Sequence, residues 1–218
     1  MTTVVCKILA LTYGICFNTY FFPLKVNELA DSLEKKGYEI SPDIPFPRPP
    51  VTLGGAGTIA RKGKTIIHID TRGPILTISD VSAKSALACF DEIANILNED
   101  YKINLDSLVG VYEFNTQCEV PTEKKAYETI AKSVSVPILD QIEGILQKKL
   151  WSHTLRFGGA DMNVNSTTWF EFSIEPSFER NDSYVVSISY RNKEKEELRS
   201  FIESFEEKIS KILELIDK

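Results

Sequence analysis

The chain has 218 residues, enough for one domain or for two of about 100 residues, and either arrangement can bury a core. Its composition, 43% hydrophobic, 26% charged and 10% aromatic, is that of an ordinary globular protein. The net charge of −6 excludes the strongly basic footprint of proteins held to phosphate backbones, although one local face can still be basic. Residues 1–104 are neutral, with 11 Lys/Arg and 11 Asp/Glu, whereas residues 105–218 hold 14 and 20 and so carry the whole excess.

Residues 4–24, VVCKILALTYGICFNTYFFPL, are apolar but interrupted by Lys7, Thr12, Tyr13, Asn18 and Thr19. No small-residue cleavage site closes the run, so a buried strand over about 3–17 is expected rather than a signal or anchor, and the protein is expected in the cytoplasm without membrane attachment. Leu24, Leu29 and Leu33 mark one face of a helix that Gly37 stops. Five prolines between 41 and 50 make an extended connector.

Three strand-like runs follow, at about 51–61, 64–70 and 74–79, joined by RKGK and DTRGP, both with hairpin-turn chemistry. The middle stretch, LGGAGTIARKGKTIIHID (53–70), superficially resembles a phosphate-binding loop. That loop requires G-x-x-x-x-G-K-[ST] opening a helix, because its amides wrap the phosphates at one curvature. Here Gly57 and Gly63 enclose five residues, and the β-branched KTIIHID reads as a strand. Residues 81–98 then form a helix that Asp80 or Ser82 can cap, with Ala83, Ala86, Phe90, Ile93 and Leu97 on one face.

The second half repeats this order. A strand is predicted at 107–120, a helix at 122–134 after Pro121, a further helix from Pro137 to Leu150, and strands near 151–163, 166–175 and 183–190. The chain closes on a charged helix whose stripe runs through Leu198, Phe201, Ile202, Phe205, Ile209, Ile212, Leu213 and Ile216. VTLGGA at 51–56 recurs as LRFGGA at 155–160, which suggests internal duplication. The expected architecture is therefore α+β, two tandem strand-helix-three-strand-helix repeats at 1–104 and 105–218. Their shared curved antiparallel sheet would be covered by helices on one face; a helix-grip fold is the alternative.

Candidate chemistry is thin. Cys6, Cys16, Cys89 and Cys118 lack CxxC spacing, and with only His68 and His153 beside them no metal site is expected. Neither histidine has a local nucleophile or carboxylate in a recognisable relation, so both are read as structural. Asp161, Glu171 and Glu175 form no convincing carboxylate set. The sequons at 165–167 and 181–183 carry no meaning in a cytoplasmic chain. No catalytic residue and no cofactor is predicted.

The stretch LGGAGTI…KGKTIIHIDTRGPILTISDVSAKSALACFDEI resembles the TATA-box-binding protein family. Leu53 falls where that family has the phenylalanine of Phe-Pro-Gly, Gly73 falls on its turn glycine, and Ser82-Ala83-Lys84-Ser85 opens the second helix as its Gly-Ala-Lys-Ser does. LVGVYEF (108–114) resembles the matching strand of the second repeat, and Phe157 falls on its Phe-Pro-Gly phenylalanine. The resemblance implies a saddle whose concave sheet binds nucleic acid, with wedge phenylalanines in the minor groove. It departs at Asp70, which places an anion beside the turn, and at Pro74, which replaces the turn lysine.

Two functions follow as expectations. The first is a nucleic-acid- or transcription-associated binding protein, with Arg61, Lys62, Lys64, Arg72 and Arg156 contacting phosphates and Phe157, Trp169 and Phe172 stacking or wedging. The alternative is a binding module for a small apolar ligand or a protein partner. An enzyme ranks last.

Overall fold

The computed structural model describes residues 6–42, 56–133, 139–159 and 167–217. The first half gives β1 (Lys7–Phe17), α1 (Val26–Lys35), β2 (Glu39–Ile40), β3 (Ala56–Lys62), β4 (Thr65–Asp70), β5 (Ile75–Asp80) and α2 (Ala83–Tyr101). The second gives β6 (Val109–Pro121), α3 (Ala126–Ser133), α4 (Leu139–Leu146), β7 (Leu155–Gly158), β8 (Trp169–Pro176), β9 (Ser183–Asn192) and α5 (Lys195–Ile216). All described strands join one antiparallel sheet in the order β2-β3-β4-β5-β1-β6-β9-β8-β7. The fold is α+β, as expected.

The strand order is mirrored about the β1–β6 seam. Tyr13 pairs with Phe114 there, and their outer neighbours are Ile78 on β5 and Tyr190 on β9. All four side chains lie on the same face, and Tyr13, Ile78 and Phe114 are fully buried. On that face Phe90 of α2 meets the Tyr13 ring edge-on at 4.9 Å, and Phe205 of α5 sits 5.4 Å from Phe114. Period-two alternation assigns the remaining strand residues, with apolar side chains under the helices and mostly polar ones opposite. Each fully buried Leu, Ile or Phe contributes about 1.5–3 kcal/mol, so this single core is the main source of stability.

Local chemistry fixes the element ends. Gly37 and Gly63 adopt φ +83° and +61°, one closing α1 and the other forming the β3–β4 turn, a conformation glycine takes without strain. Both candidate caps of α2 are engaged: Ser85 N–H donates to Ser82 Oγ (3.3 Å), while Asp80 Oδ1 accepts from Val81 and Ser82 N–H (2.6 and 2.9 Å). Asp80 also receives a very short bond from the Thr65 hydroxyl, which satisfies it in a buried position.

Three expectations need correction. Just before the expected connector lies an unexpected two-residue strand, β2, while residues 43–50 of the connector lie outside the described residues. The strand expected at 151–163 starts only at Leu155, because Trp151 leaves the sheet to meet Tyr127 (4.7 Å) and His153 leaves it to stack on Phe178 (5.3 Å). The helix expected from 137 to 150 ends at Leu146, where Gln147 takes φ +52° and Leu150 N–H turns back to Glu143 Oε1 (2.8 Å).

Of the recurring Gly-Gly-Ala, residues 54, 55 and 160 lie outside the described residues. Ala56 belongs to β3 and Gly158 to β7. Asp161 and the sequon start at 165 also fall outside. Among the described residues no helix is long and apolar enough to cross a membrane.

Candidate functional site

Helices α1, α2, α3 and α5 send their buried residues into one core, on one side of the sheet. The other side presents Thr12 and Cys16 of β1, Glu113, Asn115 and Gln117 of β6, Ser187, Ser189 and Arg191 of β9, and Trp169, Glu171 and Ser173 of β8, all half-buried or exposed. At its centre, beside the seam, a trough of about 300 Å³ is floored by Ala10, Thr12, Asn115, Gln117, Ser187 and Ser189. These side chains are uncharged, and Glu171, paired with Arg156, also lines the trough. Their alternation with buried neighbours, not any motif, puts them on one surface.

A connected hydrogen-bond chain holds the trough. Ser189 Oγ donates to Asn115 Oδ1 (2.7 Å), and Asn115 Nδ2 donates to Glu113 Oε1 (3.1 Å). Arg191 donates to Glu113 Oε2 through Nε (3.2 Å) and Nη2 (2.8 Å). Three cations of this face are met by carboxylates: Arg156 with Glu171 at 2.6 Å, Arg191 with Glu113 at 2.8 Å, Lys7 with Glu119 at 3.5 Å. Cys16 is on the same face, its thiol pushed above its ordinary pKa by burial and then by the Glu113 charge. Towards the other margin Thr58 Oγ1 lies 3.0 Å from His68 Nδ1 across β3 and β4, and burial lowers the His68 pKa, which favours the neutral ring. The surface is therefore rich in hydroxyl and amide groups and nearly balanced in charge, suited to hydrogen bonding with a polar, uncharged surface.

The eight residues predicted to bind nucleic acid are not brought together. Arg61, Lys62 and Lys64 belong to the β3–β4 hairpin and Arg156 to β7, seven strand steps away, roughly 34 Å. Lys62 turns to the helix side, where Nζ donates to the Lys36 carbonyl (2.9 Å), approaches Glu92 (3.5 Å) and lies 4.8 Å from the Tyr38 ring centre. Arg72 sits in the β4–β5 turn beside Asp70, whose pKa is lowered first by the Arg72 backbone N–H (2.9 Å). Lys64 is an exposed turn residue, and Arg61 is exposed opposite Ile66 on the uncovered face.

Among the aromatics, Trp169 shares that face and pairs in register with Arg191. Phe172 lies in the core at 5% exposure, and Phe157, opposite it in register, projects on the helix side at 53%. The sequence reading missed Asn115, Glu113, Arg191, Ser187 and Ser189. The available signal was the alternation of polar with apolar residues along 111–120 and 184–191.

Among the described residues no group of three or more His, Cys, Asp or Glu side chains is placed to hold a metal ion. No protein-family model matches the chain. No curated protein is significantly similar to it in sequence.

Proposed function

We propose that the chain is a non-enzymatic binding protein that receives its partner on the uncovered face of the sheet, and that this partner is another protein. The observation that carries the reading is the trough at the seam. Its lining is largely apolar surface interrupted by hydroxyl and amide groups, and the arginines beside it are paired with glutamates. Backbone and side-chain amides of a protein surface match such groups, whereas a phosphate backbone requires uncompensated cations.

The same reading takes the two halves as copies of one unit, forming a curved saddle of the TATA-box-binding protein type. Support comes from the shared order strand, helix, strands, helix, and from the mirrored strand order about the seam. Nucleic acid is the rival partner, favoured by Trp169 lying in register with Arg191 on the same face.

A photo-crosslinking residue placed at Ser187 tests the reading in cells that express the protein, with Ala88 on the helix side as the control. Adducts from Ser187 that protease removes and nuclease leaves intact are expected. Nuclease-sensitive adducts, together with a mobility shift of duplex or single-stranded DNA at low salt by micromolar protein, would sink it.

A further inference from the structure

We propose that the outer corner of the second half is a self-association surface, on which two copies of this chain pack reciprocally. In the pair, α4 of each copy lies in the groove between α3, β7 and the end of α5 of the other. The first observation is exposure. Phe178 (86%), Ile145 (80%), Leu215 (66%), Trp151 (55%), Leu146 (54%) and Phe157 (53%) are all open to solvent in this part of the molecule.

The second observation is continuity. Trp151 leans on Tyr127 of α3, His153 stacks on Phe178 of the β8–β9 turn, and Phe157 follows on β7. The β8–β9 turn is itself tied to α3, since Ala126 N–H donates to the Asn181 carbonyl (3.0 Å). At one end, Lys149 and the Leu150 N–H both engage Glu143, so the chain folds back on α4 before Trp151. With their exposures, these side chains leave roughly 800 Å² of apolar surface, using about 200 Å² for a typical large side chain. Summed over the corner, that equals the area each partner contributes to a standard interface.

The third observation is shape. The corner supplies both a recess and a ridge. The recess, about 940 Å³, is lined by Leu155, Phe157, Leu215 and Ile216, with Lys124 and Lys132 at its rim. The ridge is α4, which presents Ile145 and Leu146 to solvent. A surface holding complementary parts of one contact closes on itself under a two-fold axis and makes each contact twice.

Sedimentation velocity on the full chain, from about 1 to about 200 µM, tests this. A species of twice 24.6 kDa is expected to grow in with concentration. Ile145→Glu and Phe157→Glu, both at exposed positions, are expected to raise the dissociation constant roughly a hundredfold while leaving the melting temperature within about 2 °C. Thr12→Glu, on the uncovered sheet face, is expected to leave dimerisation unchanged. A 24.6 kDa species throughout overturns the proposal, as does a dimer that survives both variants. A ladder of larger assemblies overturns the reciprocal closure.

Discussion

The two halves share an element order but differ in how completely they close. In the first, α1 sinks Leu29, Ala30 and Leu33 to 1% exposure or less, and Ile59 and Ala60 of β3 are fully covered. In the second, α3 has eight described residues and buries Ala126 and Ile130, while β7 has four described residues and leaves Phe157 half in solvent. Packing, not topology, separates them. The neutral half exposes two large aromatics, Tyr20 and Phe21, beside α1, whereas the acidic half exposes Ile145, Leu146, Trp151, Phe157, Phe178 and Leu215.

Paired substitutions can break this comparison. Leu33→Ala is expected to lower stability by about 3 kcal/mol, since it opens a cavity under α1, and Ile130→Ala by about 2–4 kcal/mol in the second half. Phe157→Ala, at a half-exposed site, is expected to cost under about 1 kcal/mol despite removing more atoms. Urea unfolding of the three variants checks the order; an equal loss at Leu33 and Phe157 would mean that the second half is as closed as the first.

A smaller effect is expected where the halves meet on the helix side. Arg199 of α5 donates through both Nη atoms to the Asp91 carboxylate of α2, at 2.7 and 2.8 Å. The pair is partly exposed, so Asp91→Ala is expected to cost about 0.5–1 kcal/mol and the loss to shrink in high salt, which unfolding at two ionic strengths would reveal.

The smallest effect sharpens the comparison by pH. His68 has no counterpart on β8, and its pKa is lowered by burial, so the unfolded chain binds the extra proton. Stability from this group is present above its unfolded pKa and is lost as pH falls through about 6.5 and then through the lower folded value. His68→Gln should flatten the pH dependence of the melting temperature below about pH 6.5; an unchanged slope would assign that dependence to carboxylates elsewhere.

How much of this was legible in the sequence follows from the range of each signal. The stripes of α2 and α5, the glycines at 37 and 63 and the β3–β5 meander are set by neighbours a few positions apart, and they were readable. The β1–β6 seam is a pairing between residues far apart in the chain, so nothing local marks it. The trough depends on that seam, since Thr12 and Asn115 meet only once it forms. Read in one dimension, Asn115, Ser187 and Ser189 were merely polar residues between apolar ones. Trp151 and His153 misled for the converse reason: their alternation suited a strand, but ring partners on α3 and the β8–β9 turn drew them away.

The seam also governs how the molecule reaches this structure. Tyr13 waits for Phe114, roughly a hundred positions later, while the hairpin of β3 and β4 closes over two turn residues. Until the later strand arrives, the inner edge of β1 stands with unsatisfied amides and carbonyls, and β6 brings the same liability with it. Each edge is the other's protection. Refolding should therefore contain a slow phase that Gly14→Pro, which removes an amide from the middle of β1, lengthens far more than an exposed substitution on α5.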